Sequence, residues 1–264
     1  MSGAVDGHGD WEAAARRAIE RPYLHPRVRE AKRSDHLTLL ERWLPELQGS
    51  RVLNTDLWEE GVAGDELLFS LARRGARANG IDLSERVVAG ATTTGLDAGV
   101  DAVLQQGSVT DIPLGDRSVD VVVSTSTLDH LENSAAHARA VAEFRRVLEP
   151  GGILVVTVDN PANAFDWLLR LVARLGLVPF PLGITLDHPE LERLLRASGF
   201  EPVAHTYLVP APRVLATVMV RIAALMPGLL ADRAVGAVLR VFAALGRGAP
   251  RRMGSFLAVR AIAR

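Results

Sequence analysis

The stretch Val119-Asp120-Val121-Val122-Val123-Ser124 gives the clearest indication of how this 264-residue chain folds. A run of β-branched residues with so little alternation is typical of a strand buried on both faces of a parallel sheet. Strand-like and helix-like segments alternate on both sides of it. Such alternation predicts right-handed crossovers and an α/β fold with a doubly wound, Rossmann-like sheet.

The apolar periodicity and the turn residues between segments place the individual elements. The predicted strands cover 51–55, 77–83, 101–106, 119–124, 153–158, 201–208 and 255–263. The predicted helices cover the segments 11–50, 65–74, 85–96, 135–148, 165–177 and 189–199, and most of 213–246. The last strand can pair antiparallel with the strand at 201–208.

The composition excludes several classes of protein. Hydrophobic residues make up 48% and charged residues 23%, and the formal net charge is −1, which argues against a nucleic-acid binder and against disorder. The chain has no cysteine, so a disulfide framework and a thiolate site are excluded, and we expect a cytoplasmic protein without a bound metal. Met1–Asp10 lacks an apolar signal core and arginines interrupt the long apolar stretches, so we expect no signal peptide and no membrane span.

Asp82 is the sharpest candidate for ligand binding. In a doubly wound sheet, ligands bind beyond the carboxyl ends of the strands, where the strand order reverses. Asp82 ends the second predicted strand, 26 residues beyond Asp56 in the first loop. A carboxylate there can accept two hydrogen bonds from a ribose diol. The alternative is that Asp82 caps the helix that begins near Glu85.

The loop after the first strand is acidic and poor in glycine. Gly61 and Gly64 would let a ligand approach the backbone, but the G-x-G-x-x-G motif of dinucleotide sites is missing. The acidic residues are Asp56, Glu59, Glu60 and Asp65. Their charge would repel a pyrophosphate and favour a sulfonium or an amine. The alternative is an acidic, solvated turn without a ligand.

Seven motifs in this order resemble those of class I S-adenosylmethionine-dependent methyltransferases of the small-molecule type. They are Arg51-Val52-Leu53, Gly80-Ile81-Asp82-Leu83-Ser84, Gly107-Ser108, Asp111-Ile112-Pro113-Leu114, Ser118 to Ser124, Leu128-Asp129-His130 and Phe144 to Gly152. The resemblance covers roughly residues 50–160, and the Arg-Val-Leu-Glu-Pro-Gly-Gly stretch at 146–152 is its most specific part. It implies a seven-stranded sheet with an antiparallel last strand, and S-adenosylmethionine as the cofactor.

The resemblance also implies roles for individual residues. Asp82 would bind the ribose hydroxyls, Leu83 would pack on the adenine, and the backbone of Ser124 and Thr125 would line the methionine side. Ser108, followed by Val109, stands where the family usually has an aspartate. Its hydroxyl can still hydrogen-bond the adenine amino group, with less charge assistance.

The first loop departs most from the family, which usually has D-x-G-x-G-x-G there. Asn54-Thr55-Asp56 is followed by an insertion with Trp58, Glu59 and Glu60, and only Gly61 and Gly64 remain. Glu66 stands near the place of the last glycine, where a β-carbon would narrow the cofactor slot. The loop would wrap the methionine part of the cofactor, and Asp56 or Glu59 could bind its ammonium group.

These expectations divide the chain into three parts. Residues 1–50 would form an N-terminal helical cap, and residues 51–160 the cofactor-binding core. Residues 161–264 would complete the sheet and carry helical cap insertions at 165–183 and 211–247.

His130 is the candidate general base, because imidazole titrates near neutral pH and this residue follows the fourth strand. Asp129 could orient it. The alternative is a structural histidine and a helix-capping aspartate. Asp159, Asn160 and Asn163 follow the fifth strand and could bind a polar group of the substrate, or they could simply form a turn.

The leading hypothesis is methyl transfer to a hydroxyl or amine of a small, apolar natural product, quinone-like or lipid-like molecule. The arginine-punctuated cap segments could rest on anionic lipid, or they could be a solvated stripe or the face of a homodimer. The alternatives are a catalytically silent binding or scaffold protein, an enzyme of this fold with other chemistry, and a nucleotide-dependent oxidoreductase. Against the last, neither Tyr23 nor Tyr207 begins a Tyr-x-x-x-Lys motif.

Overall fold

The computed structural model describes residues 8–20, 26–62, 67–175, 182–210, 218, 219, 222 and 225–264, with no side chains described for 8–10. All seven strands lie in one sheet with the order β3-β2-β1-β4-β5-β7-β6. The strands are β1 Arg51–Asn54, β2 Arg77–Asp82, β3 Ala102–Gln106, β4 Val119–Thr125, β5 Leu148–Asp159, β6 Phe200–Leu208 and β7 Phe256–Ala263. The described helices are α1 His8–Glu20, α2 Pro26–Trp43, α3 Trp58–Val62, α4 Leu67–Arg73, α5 Glu85–Asp97, α6 Ser134–Val147, α7 Asp166–Arg174, α8 His188–Ala197, α9 Leu229–Gly248 and α10 Pro250–Met253.

The predicted fold class is confirmed. β1 to β5 pair in parallel, and β7 runs antiparallel between β5 and β6. The strand order reverses between β1 and β4, which opens a crevice at their carboxyl ends.

The valine-rich strand is buried on both faces, as its sequence predicts. Val122 packs into a cluster with α6 and α8, whereas Val121 and Val123 pack into a cluster with α2 and α4. Asp120 is the polar exception, and its carboxylate accepts hydrogen bonds from the backbone N–H and the guanidinium of Arg51, with 2.7 Å between Nη2 and Oδ1. This pair joins β1 to β4 at the edge of the sheet opposite the crevice.

Two elements differ from their predicted forms, and α5 agrees with its prediction. β5 begins at Leu148 rather than 153, because Val119 on β4 pairs with Leu148 before a register shift. α5 runs through Thr92-Thr93-Thr94 as predicted, and the three hydroxyls each donate to the carbonyl four residues earlier. The helix α3 lies in a segment for which no helix is predicted. Residues 176–181 and most of 211–224, which include parts of the predicted cap insertions, lie outside the described residues.

The first loop, including α3, packs closely on α5. A β-carbon on Gly61 would lie 2.2 Å from the carbonyl oxygen of Val87, and one on Gly90 would lie 2.3 Å from the carbonyl oxygen of Gly61. The two glycines therefore allow the α3 and α5 backbones to touch at the entrance to the crevice.

Candidate functional site

Most of the predicted site residues lie around the carboxyl ends of β1, β2 and β4. Asn54 ends β1, Asp82 ends β2 and Thr125 ends β4. The first loop and α3 cover the crevice from one side. The N-terminal helix α1 lies close to both the crevice and α5.

Asp82 links the first loop to the turn after β2. Its Oδ2 accepts the N–H of Leu57 at 3.1 Å and its Oδ1 accepts the N–H of Ser84 at 2.9 Å. Burial and the charge of Glu12 raise the pKa of Asp82, whereas these backbone hydrogen bonds lower it. The result is a pKa of about 6. The cap of α5 is Ser84, whose hydroxyl oxygen accepts the N–H of Val87. The capping alternative for Asp82 is therefore wrong.

Asp56, which like Asp82 is partly buried, is the second carboxyl of the site. Its Oδ1 accepts the N–H of Trp58 at 2.8 Å and so begins α3, while its backbone carbonyl accepts the Asn54 amide at 2.6 Å. Burial and then the charge of Asp82 raise the pKa of Asp56 to about 7. Two neighbouring carboxyls that resist joint ionisation form an environment in which a cationic ligand is stabilised.

The other acids of the first loop contribute less negative charge than their number suggests. The Oε1 of Glu60 accepts the N–H of Leu68 at 2.7 Å, and burial raises the pKa of Glu60 to about 8, so it is largely neutral at pH 7. Glu59 forms an ion pair with Lys32 of α2. Gly64, Asp65 and Glu66 lie outside the described residues.

Three aromatic rings pack together beside the crevice. Trp11 of α1 contacts Trp58 edge-to-face with 5.9 Å between ring centroids, and it contacts His130 with 4.8 Å between centroids. His130 is partly buried, in a 3₁₀ turn over Leu128–His130. The sequence reasoning missed Trp11 because nothing local to residues 8–20 indicates which part of the sheet that helix covers.

Asp129 is buried and connects the ends of β4 and β5. Its Oδ2 accepts the N–H of Asp159 at 2.7 Å. Gly183 packs against the 3₁₀ turn that contains Asp129, and its N–H donates to the carbonyl of Asp129. Asp129 therefore holds the turn that carries His130.

Asn160 and Asn163 fasten the end of β5 to the segment before β7. The Asn160 amide donates to the carbonyls of Arg251 and Gly254, and the Asn163 amide donates to those of Met253 and Gly254. Each side-chain oxygen accepts a backbone N–H two residues later. These bonds occupy both amide donors of each residue, as expected for the turn alternative.

The predicted adenine side is formed by the ends of β2 and β3. The Ser108 hydroxyl lies 2.9 Å from that of Thr110, and the carbonyl of Leu83 accepts the Gln106 amide at 3.0 Å. Val109 is 8% exposed and packs into the core cluster that contains Ile81. Leu83 and Ser108 remain partly exposed at the sheet edge, whereas Val109 faces the core.

Buried polar atoms without partners cluster at the crevice. Among the described residues, Asn54 Oδ1, Ser124 Oγ and Ser126 Oγ are buried and have no hydrogen-bond partner. Ser126 has a left-handed φ of 57°. Because buried polar atoms are nearly always satisfied, these three atoms at the ends of β1 and β4 are available to hydrogen-bond a polar ligand or water.

Comparison with known proteins relates this chain to methyl-transferring enzymes. The family described as "Methyltransferase domain" matches residues 58–156. A Mycolicibacterium smegmatis protein described as an S-adenosylmethionine-dependent methyltransferase is 33% identical over 159 residues, 57% of this chain and 54% of that protein. The ubiquinone biosynthesis O-methyltransferase of Idiomarina loihiensis is 30% identical over 188 residues, 67% of this chain and 72% of that protein.

A solved S-adenosylmethionine-dependent methyltransferase of Thermotoga maritima superposes with a TM-score of 0.63, covering 96% of this chain and 100% of that one. The two sequences are 20% identical, so this likeness shows the fold alone. Against the first two curated relatives the chain spans about half of their length, 54% and 50%.

The buried carboxyl of Glu60 predicts a pH dependence of stability. A carboxyl whose pKa is raised by folding contributes its full stabilisation below the unfolded-state pKa, and this is lost as pH rises toward the folded-state value. Glu60→Gln keeps an acceptor for Leu68 and cannot ionise. Between the ordinary pKa of 4.5 and the folded value of about 8, the wild-type free energy of unfolding should fall with pH by up to about 1.4 kcal/mol per unit more than that of the variant.

Urea unfolding at a series of pH values measures this difference, with the exposed Glu85→Gln as the control that should keep the wild-type slope. Equal slopes for wild type and Glu60→Gln would show that Glu60 is ionised in the folded protein.

Proposed function

Because the chain belongs to the class I S-adenosylmethionine-dependent methyltransferases, we propose that it transfers a methyl group from S-adenosylmethionine to a hydroxyl or amine of a small, apolar molecule. One observation carries the proposal. Two backbone N–H groups hold the Asp82 carboxylate at the end of β2. The Asp56 carboxyl lies close enough to Asp82 for the charge of Asp82 to raise the pKa of Asp56.

The residues of the crevice fit this cofactor. The carboxyls of Asp82 and Asp56 suit a ribose diol and a cationic sulfonium, and neither chemistry suits a dinucleotide pyrophosphate. The unpartnered Asn54 Oδ1 and Ser124 Oγ supply an acceptor and a hydroxyl on the methionine side. Leu83 and Ser108 would hold the adenine at the sheet edge. Gly61 supports this arrangement through its contact with α5. Gly64, which lies outside the described residues, stays a predicted cofactor contact.

His130 is proposed as the group that takes the proton of the acceptor. When bound, the cofactor supplies an electrophilic methyl group, so much of the catalysis lies in orientation. An oxygen acceptor must also lose a proton, and the His130 imidazole is the group at the end of β4 that can accept it near neutral pH. Asp129 would act as a positioning residue that holds the turn carrying His130. The backbone N–H of Asp159 orients the Asp129 carboxylate.

The acceptor is proposed to be apolar, in the class of quinone-like, lipid-like or natural-product molecules. Support comes from the aromatic rings of Trp11 and Trp58 over the crevice and from the relatives named as ubiquinone biosynthesis O-methyltransferases. We accordingly divide the chain as predicted: a cap over 1–50, a cofactor core over 51–160, and a C-terminal part over 161–264. The site of action is proposed to be the cytoplasm.

A cofactor-binding protein without transfer activity is the second candidate. The observation in its favour is the first loop, which forms the helix α3 around Trp58 and uses Gly61 for helix packing. A mass-spectrometric screen for acceptors that gain a labelled methyl group separates the two candidates. No labelled product, with S-adenosylhomocysteine still bound, would favour the binding protein.

Peripheral membrane contact through α7 is proposed as the route to an apolar acceptor. Among the described helices none is long and apolar enough to cross a membrane. Trp167 and Leu171 are 62% and 43% exposed, one helical turn apart, and Arg170 and Arg174 accompany them. An apolar face with basic flanks suits the interface of anionic lipid.

Sedimentation with phosphatidylglycerol vesicles tests this contact. We expect wild type to sediment and Trp167→Ser/Leu171→Ser to remain in the supernatant, with phosphatidylcholine vesicles as the uncharged control. Wild type that never sediments and that elutes at twice 28.4 kDa, while Trp167→Ser/Leu171→Ser elutes as a monomer, would identify the α7 face as a homodimer interface instead.

Replacing Asp82 tests the cofactor site. We expect Asp82→Ala to weaken S-adenosylhomocysteine binding by about 1.5–3 kcal/mol, because charge-assisted hydrogen bonds to the ribose are lost. Isothermal titration calorimetry measures the affinity, and the exposed Asp101→Asn, at the other end of the sheet, should bind like wild type. Undiminished affinity in a folded Asp82→Ala protein would refute the ribose assignment.

Replacing His130 tests the proton acceptor. His130→Ala should lower turnover of a hydroxyl acceptor by roughly 10²–10⁴-fold while S-adenosylhomocysteine affinity stays near the wild-type value. His205→Ala, an exposed histidine on β6, serves as the control. Normal turnover by His130→Ala would leave this residue with a structural role only.

A further inference from the structure

His137 is a buried histidine near the start of α6 that the assignment above does not use. Its side chain belongs to a residue that is only 1% exposed. Both nitrogens of its ring face carbonyl oxygens: Nδ1 lies 3.1 Å from that of Asn133, and Nε2 lies 3.0 Å from that of Leu128. Because a neutral imidazole has only one N–H, at most one of these contacts is a hydrogen bond while the ring is neutral.

The other partners of the two carbonyls decide which contact is the hydrogen bond. The carbonyl of Asn133 already accepts the backbone N–H groups of Ala136 and His137, at 3.1 and 3.2 Å. The carbonyl of Leu128 accepts one backbone N–H from the described part of the chain, that of Leu131 at 3.1 Å. Since a carbonyl oxygen has two lone pairs, the Leu128 carbonyl keeps one for a side-chain donor. This count places the proton of His137 on Nε2.

The hydrogen bond to Leu128 acts on the turn that carries His130. Leu128 begins this 3₁₀ turn, and its carbonyl closes the turn by accepting the N–H of Leu131. Leu128 is fully buried, so without the His137 donor its carbonyl would keep an unfilled lone pair away from water. His137 thus joins α6 to the atom that fixes the shape of the turn.

The same turn is held from two further directions. The Oδ2 atom of Asp129 accepts the N–H of Asp159 on β5 at 2.7 Å. The N–H of Ile184, in the segment before α8, donates to the carbonyl of Leu131 at 3.1 Å. His137 supplies the connection to α6, so the turn is held from three sides.

We infer that His137 is a positioning residue for His130, which acts through the hydrogen bond from its Nε2–H to the Leu128 carbonyl. This role rests on the proposed function, because the placement of His130 matters for transfer only when His130 takes the proton of the acceptor. The hydrogen bond itself does not depend on the proposed function. A histidine suits this place, since a rigid ring reaches from α6 to the turn with few rotatable bonds to fix.

Nuclear magnetic resonance measures both the hydrogen bond and its effect without an acceptor. The nitrogen chemical shifts of a histidine ring show which nitrogen carries a proton, and we expect a proton on Nε2 of His137. The ring centroids of Trp11 and His130 lie 4.8 Å apart, so the ring current of Trp11 shifts the ring protons of His130. This shift reports the placement of His130, and His130→Ala identifies the signals by removing them.

Two amide variants separate the two nitrogens of His137. Glutamine places its amide nitrogen near the position of Nε2 and asparagine near that of Nδ1, so His137→Gln keeps a donor to Leu128 whereas His137→Asn loses it. The His130 signals should keep their wild-type shift in His137→Gln and lose most of the ring-current shift in His137→Asn. The control is His205→Gln, at an exposed position on β6, which should leave the His130 signals unchanged.

Turnover adds a functional measurement. With an acceptor from the labelled-methyl screen at saturating concentration, turnover by His137→Asn should be about tenfold to hundredfold lower than that of wild type, because a displaced base is poorly oriented. S-adenosylhomocysteine affinity should stay at the wild-type value, and His137→Gln should restore most of the turnover. A residue that only stabilised α6 would change the thermal unfolding midpoint and leave both the His130 signals and turnover unchanged.

Three outcomes would overturn the inference: a wild-type His137 ring protonated on Nδ1 alone, unshifted His130 signals in folded His137→Asn, or normal turnover by that variant. The first measurement uses wild type, so it decides the hydrogen bond even when His137→Asn does not fold. Normal turnover by His130→Ala would instead overturn the proposed role of His130 and leave the hydrogen bond of His137 in place.

Discussion

The hydrogen bonds of the Asp82 carboxylate hold the candidate site together. The carboxylate holds the first loop through Leu57 and the turn after β2 through Ser84, so two loops from neighbouring strands take one fixed arrangement. Burial raises the pKa of Asp82. Burial also raises the pKa of the neighbouring Asp56, and the charge of Asp82 raises it further. The raised pKa values mean that ionising both carboxyls in the folded protein is unfavourable, and we propose that a bound cation would offset this cost.

The fold could be predicted from the sequence because its signals are local. The valine run of β4 and the alternation of segments specify a parallel sheet whatever lies around them, and Asp82 stands out by its place at a strand end. Gly61 shows where local reasoning stops. A glycine in a first loop suggests close approach of a ligand, but here the approaching group is the carbonyl of Val87 on α5, which only the packed structure reveals.

The number of acidic residues overstates the negative charge of the first loop. The first loop is formally rich in acids, yet Glu60 is buried and largely neutral and Glu59 is neutralised by Lys32 from α2. Likewise, Asn160 and Asn163 suggested substrate binding but fasten backbone carbonyls near β7. Trp11 and Lys32 reach the crevice from helices that precede the sheet, and no sequence spacing connects them to it.

The most direct measurement is a crystal structure of the protein with S-adenosylhomocysteine. We predict that this structure will show the ribose on Asp82, the homocysteine end beyond Thr125, and His130 facing the sulfur. A structure determined at saturating ligand with the nucleoside away from Asp82, or with no ligand in the crevice, would contradict this assignment.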